Sequence, residues 1–125
     1  MGVTSPPLSI IDFDMMIGKH CLLNIQGARK DRLDDLTFLT KLLRDAAVET
    51  GATVLDSCSK KFEPQGVTIV ILLSESHISI HTWPERGSAL IDIFTCGDDV
   101  DPFWAVPVIN RGLEPERFTV EMINR

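Results

Sequence analysis

The run Val67-Thr68-Ile69-Val70-Ile71-Leu72-Leu73 is apolar and β-branched and reads as a buried strand. It passes directly into Ser74-Glu75-Ser76-His77-Ile78-Ser79-Ile80-His81-Thr82-Trp83-Pro84-Glu85, where polar residues crowd. Polar groups at the end of a buried strand cost free energy unless they are paired, so this stretch is where chemistry is expected. Side chains alternate along an extended chain with a period of two. His77, Ser79 and His81 therefore share one face, and Ile78 and Ile80 share the other. The apolar face can pack on a core, and the polar face can line a site.

The remaining chain divides by the same rules. Lys19 to Ile25 sets Cys21, Leu23 and Ile25 against His20, Leu22 and Asn24, which predicts a first strand, and Gly27 to Asp31 a turn. Leu33, Leu36, Leu39, Leu43 and Ala47, widened by Leu42 and Ala46, predict a core-facing helix over Arg32 to Thr50, closed by Gly51. Thr53 to Phe62 reads as a strand and Glu63-Pro64-Gln65-Gly66 as a turn. Pro84-Glu85-Arg86-Gly87 turns the chain again before a strand over Ala89 to Thr95. Asp101-Pro102 starts a helix with Phe103, Val106 and Asn110 along one side, which Pro107 is expected to shorten or kink. Phe118 to Ile123 alternates as a last strand. Residues 1–17, with Pro6-Pro7 and little periodicity, read as a flexible leader with a short amphipathic turn around Ile10 to Ile17; residues 18–125 read as a single domain. The sum is an α+β fold, a two-layer sandwich of a mainly antiparallel sheet with two helices on one face.

At 125 residues, 44% hydrophobic and 24% charged, the chain supports one modest core, of a size that oligomerisation often completes. A formal charge of −6 without a basic cluster argues against nucleic acid or an anionic membrane as partner. No apolar run approaches a membrane span, and the N-terminus has no signal-peptide pattern. Cys21, Cys58 and Cys96 form no metal-like pair, which fits a reducing compartment, the cytoplasm, better than a disulfide framework. Cys21 and Cys58 are expected as small apolar fillers, His20 as a hydrogen-bonded core residue, and Trp83 and Trp104 as packing residues. Asp98, Asp99 and Asp101 read as a solvated turn and helix start. His77, His81 and Cys96 are types that suit zinc, but no fourth ligand or paired spacing accompanies them, so no metal is expected. No glycine flanks Ser76 as in a hydrolase nucleophile elbow.

Glu75-Ser76-His77 followed by Ile80-His81-Thr82-Trp83-Pro84-Glu85 resembles the self-cleavage motif of the prokaryotic S-adenosylmethionine decarboxylase proenzymes. Gly18-Lys19-His20, Phe62-Glu63-Pro64-Gln65-Gly66-Val67, Asp92-Ile93-Phe94-Thr95-Cys96-Gly97-Asp98 and Val100-Asp101-Pro102 extend the likeness over about residues 18 to 123. The resemblance implies a two-layer sandwich whose protomers pair as homodimers, and an enzyme that cuts itself between Glu75 and Ser76. A β chain of residues 1–75 would end in a new carboxylate, and an α chain of residues 76–125 would begin with a pyruvoyl group derived from Ser76. This covalent cofactor would form a Schiff base with the substrate amine and take up the electrons left by departing carbon dioxide. The product would be decarboxylated S-adenosylmethionine for spermidine biosynthesis.

The same resemblance implies roles. Ser76 Oγ would attack the Glu75 carbonyl, with His81 as the processing histidine and Thr68 where an assisting serine is usual. Cys96 would return a proton to the substrate, Phe62 would stack on adenine, and Glu85 would bind the ribose hydroxyls. Three positions depart from the pattern. Asn24 stands where a substrate-facing glutamate is common, Pro107 replaces a helix-compatible residue, and Thr68-Ile69-Val70 lacks a small residue. An amide at position 24 offers no charge to a cationic substrate, so arginine or ornithine decarboxylation on the same scaffold is the alternative. A non-catalytic paralogue, which would stay uncleaved, is a third reading.

Overall fold

In the computed structural model, which describes residues 17–125, six strands form one antiparallel sheet. The elements are β1 (Gly18–Gln26), α1 (Lys30–Leu33), α2 (Leu36–Thr50), β2 (Val54–Lys61), β3 (Val67–Leu73), β4 (Ser76–Trp83), β5 (Ser88–Cys96), α3 (Ala105–Leu113) and β6 (Arg117–Asn124). Across the sheet the order is β2-β3-β4-β5-β1-β6. The alternate residues Cys21, Leu23, Ile25, Ile69, Ile71, Ile78, Ile80, Ile91 and Ile93 are sealed against Leu39, Leu43, Ala46, Ala47, Ile109 and Leu113 of α2 and α3. A Cβ on Gly112 would lie 2.5 Å from Leu42 Cδ1, so the missing side chain allows α3 its close approach to α2. This is the expected α+β two-layer sandwich. The leader and its amphipathic turn fall almost wholly on residues 1–16, outside the described residues. Among the described residues, no helix is long and apolar enough to cross a membrane.

Several local expectations are corrected. The helix expected over Arg32–Thr50 is two helices, and Lys30 and Asp31 belong to the first rather than to a turn. Asp35 caps α2 by accepting from the Phe38 N–H at 3.0 Å, and satisfying a free first-turn amide outweighs the continuous apolar stripe. Gly51 ends α2 in the left-handed region, as expected. β3 is buried on one side only: Val70 is 40% and Leu72 50% exposed, because helices cover a single face of the sheet. Pro107 does not interrupt α3. It lies in the first turn, where an amide has little intrahelical bonding to lose. The preceding 3-10 turn, Pro102–Trp104, is capped by the Asp101 carboxylate and shifts the phase. Val106 and Ile109 are therefore buried while Phe103 is exposed. Trp83 and Trp104 are exposed rather than packed, and Cys58 is exposed on the edge strand β2 rather than filling the core.

Thr82 locks the end of the sheet that later matters for the site. Its buried hydroxyl donates to the Leu33 carbonyl at 2.7 Å and accepts from the Val67 N–H at 2.9 Å, joining α1, β3 and β4. Thr82→Val keeps the shape but orphans both backbone groups. It should lower the unfolding free energy by about 2 kcal/mol in a denaturant titration; a loss below about 0.5 kcal/mol would contradict this role.

The two structural thiols behave oppositely. Burial, and secondarily the charge of Asp101, push the Cys21 thiol up to about 11. A raised value favours the neutral thiol in the folded chain, so this stabilisation is complete below about pH 9 and lost as pH rises towards 11. Near neutral pH, an alkylating reagent should label Cys58 in the native protein and Cys21 only after unfolding. Rapid native labelling of Cys21 would overturn its placement in the core.

Candidate active site

β3 and β4 form a tight hairpin. Leu73 lies opposite Ser76, which leaves only Ser74 and Glu75 to reverse the chain. Glu75 takes φ 59°, left-handed backbone that costs a residue with a side chain roughly 1 to 2 kcal/mol. Such strain persists where surrounding structure imposes it, and it gathers at functional sites. Here the two-residue reversal requires it, and β5 holds the carbonyl that follows: the Cys96 thiol donates to the Glu75 carbonyl oxygen at 2.8 Å. The Cys96 N–H donates to Ser76 Oγ at 3.2 Å, and the Cys96 sulfur lies 3.9 Å from the same oxygen. Ser76 itself is 8% exposed. A hydroxyl is thus held beside the peptide bond that follows a left-handed residue, and the carbonyl of that bond already faces a donor. That donor is placed to stabilise charge developing on the carbonyl oxygen.

Thr68 and His81 form a second group. They face each other across β3 and β4, and the Thr68 hydroxyl is hydrogen-bonded to His81 Nδ1 at 2.8 Å. This fixes the imidazole plane and leaves Nε2 available. Phe62, 45% exposed, sits just beyond β2 on the loop that leads to Thr68, and Glu85 is exposed in the 3-10 turn that follows β4. Asn24 is exposed on β1, separated from His81 in the lateral row only by Leu90 of β5. Phe62, Thr68, His81, Glu85 and Asn24 therefore belong to one end of the sheet.

The two groups do not meet in one protomer. Ser76 and His81 are five residues apart on β4, about 17 Å at strand rise, and their side chains leave on opposite faces by the strand period. His77 and His81 share a face but stand about 13 Å apart, too far to hold one ion. Sequence reading grouped Ser76, His81 and Cys96 as one site; the structure joins Ser76 to Cys96 and His81 to Thr68.

Between the groups lies an aromatic cluster on the open sheet face that sequence reading missed. His20 is there, not in the core: its ring centroid is 5.8 Å from that of Phe94 and 6.4 Å from that of His77, and its Nε2 is buried without a hydrogen-bond partner. Phe94 also carries the Arg125 guanidinium 5.5 Å above its ring. The register His77–Phe94–His20 across β4, β5 and β1 assembles it, and no local spacing announces that register.

Residues 19–125 match a family model described as S-adenosylmethionine decarboxylase. The chain is 49% identical over 109 residues to the S-adenosylmethionine decarboxylase proenzyme of Methanococcus maripaludis strain C7, covering 87% of this chain and 89% of that protein. It is 47% identical over 110 residues to the proenzyme of the same name from Parasynechococcus marenigrum, covering 88% and 86% respectively. The solved adenosylmethionine decarboxylase of Aquifex aeolicus VF5 superposes with a TM-score of 0.81 at 36% identity, over 88% of this chain and 91% of that one. A Trypanosoma brucei AdoMetDC, 17% identical with a TM-score of 0.60 over 82% of this chain and 44% of that one, shares the fold.

Proposed function

The chain belongs to the S-adenosylmethionine decarboxylase family, and we propose that it cuts its own Glu75–Ser76 bond and decarboxylates S-adenosylmethionine through the pyruvoyl group left at position 76. It is a pyruvoyl-dependent carboxy-lyase made as a proenzyme, supplying decarboxylated S-adenosylmethionine for spermidine synthesis. The contact set of Cys96 with Glu75 and Ser76 carries the position of the cut.

Maturation uses groups already in place. Ser76 Oγ adds to the Glu75 carbonyl carbon while the Cys96 thiol holds the oxygen. The carbon–nitrogen bond breaks, the nitrogen takes up the hydroxyl proton, and an ester remains, relieving the left-handed turn. Removal of the α-proton of residue 76 expels the Glu75 carboxylate, and water displaces the nitrogen as ammonia. The pieces, residues 1–75 and 76–125, stay together because the cut falls between β3 and β4 and leaves their ladder intact. The almost enclosed Ser76, with a thiol and an amide directed at it, fits the pyruvoyl group, whose carbonyl supplies the electron sink that ordinary side chains lack.

The proton for the substrate α-carbon comes from Cys96 Sγ, the thiol beside position 76. Phe62 covers the adenine and Glu85 accepts the ribose hydroxyls. An aromatic face near the sulfonium also favours a cation. Asn24 contributes a neutral amide.

His81 is the base of maturation, with Thr68 holding its ring, and it acts on a neighbouring copy. The support is the separation of about 17 Å along β4 and the uncovered apolar residues Val70, Leu72 and Leu90 on the open sheet face. In a homodimer joined through these faces, a twofold axis between the two groups sets the Glu75–Ser76 turn, reached from the open face by the Cys96 thiol, against the partner subunit's His81 and Thr68. The unpaired cysteines favour a cytoplasmic enzyme.

Mixed dimers test both parts. Ser76→Ala should stay intact, and His81→Ala should cleave at least about 100-fold more slowly. Co-expressed, the two should pair so that one site regains both residues. The His81→Ala chain would then be cut, and the mixture would release carbon dioxide from S-adenosylmethionine but not from arginine or ornithine. Absence of rescue would exclude the shared site, and release from arginine or ornithine alone would exclude the substrate.

A further inference from the structure

Asp34 lies outside the groups described above, yet it grips the loop that presents Phe62. Its Oδ1 accepts from the Gly66 N–H at 2.8 Å and meets Lys61 Nζ at 2.8 Å. Lys61 Nζ in turn donates to the Phe62 carbonyl at 3.1 Å, and the Phe62 N–H donates to the Gly66 carbonyl at 2.8 Å. Both ends of the loop Phe62–Gly66 therefore converge on one carboxylate. The backbone that carries it is anchored, because Asp34 follows Leu33, whose carbonyl is tied to the buried Thr82 hydroxyl. Phe62 has no comparable support from packing, being nearly half exposed. The Lys61 ammonium, and then the Gly66 amide, hold the Asp34 carboxyl below the usual carboxylate range, so it stays ionised near neutral pH.

We infer that Asp34 is a positioning residue for substrate affinity: with Lys61 it fixes the Phe62–Gly66 loop so that the Phe62 ring is preorganised to cover the nucleoside base. This rests on the assignment of Phe62 to adenine. Preorganisation lowers the entropy lost when an aromatic platform is ordered around its ligand. Asp34 bonds Gly66 and Lys61 and none of Thr68, His81, Ser76 or Cys96, so neither self-cleavage nor the proton steps depend on it. Nothing in the local sequence marks it, because its partners arrive from β2 and the loop that follows.

The test measures self-cleavage, melting temperature, kcat and KM for S-adenosylmethionine in Asp34→Ala, Asp34→Asn, Lys61→Met, Phe62→Leu and the Asp34→Ala/Phe62→Leu double variant. Asp34→Ala should raise KM about fivefold with kcat within about twofold and cleavage complete. Asp34→Asn keeps the acceptor for Gly66 and should fall between it and the wild type, as should Lys61→Met. The latter leaves the Gly66 contact intact if the alanine variant folds poorly. The double variant should be no worse than Phe62→Leu alone, because the clamp acts only through that ring. If Phe62→Leu leaves KM unchanged, the assignment of Phe62 to the base falls, and the inference with it. If Phe62→Leu raises KM while Asp34→Ala and Lys61→Met do not, or if the effects multiply in the double variant, the inference alone is overturned.

Discussion

Leu73 faces Ser76 and Thr68 faces His81, and this one register between β3 and β4 ties the fold to its chemistry. It leaves two residues for the turn and so forces Glu75 into left-handed backbone next to Ser76. It also gives His81 the hydroxyl that orients it. A slip by one residue would turn every side chain of β4 to the other face, exposing Ile78 and Ile80 and burying two histidines. The hydrophobic burial of the sheet's helix-covered face thus enforces the geometry of the reactive turn. β5 completes it, since Cys96 reaches both the Glu75 carbonyl and Ser76 Oγ only when β5 lies beside β4.

The spacing that serves the sheet divides the site. Residues five apart on one strand cannot converge on one point, and the Thr68–His81 pair stands far from the Glu75–Ser76 bond. Two copies joined through their open faces would resolve this, and the exposed aliphatic side chains there would give such an interface its driving force. A small chain would then build two composite sites from one set of residues, and the strands on either side of the proposed cut would keep the pieces together.

The chain's alternation made β1, β4 and β5 legible, because each has one face against helices and one against none, the condition under which period two is clean. The α2 stripe and its Gly51 cap were legible for the same reason. The break at Asp34-Asp35 was hidden because capping competes with periodicity over only a few residues, and a continuous leucine pattern masks it. β3 read as buried throughout since a run of aliphatic residues does not tell a covered face from one left open. The residues of the site were legible through their motif, but their arrangement was not: the motif groups His81 with Ser76, whereas strand geometry separates them within one protomer. The Asp34–Lys61 clamp and the His20–His77–Phe94 cluster depend on long-range register, which no local window contains.

The central claim is that the Glu75–Ser76 bond, at a left-handed turn, is spent to make the catalytic carbonyl. The denaturing mass spectrum of the purified, untagged chain tests it most directly. The account predicts two chains parting between Glu75 and Ser76, the C-terminal one lighter by ammonia than simple hydrolysis would leave it. A single intact chain of 13.9 kDa, or a C-terminal piece that retains its serine amine, would contradict it.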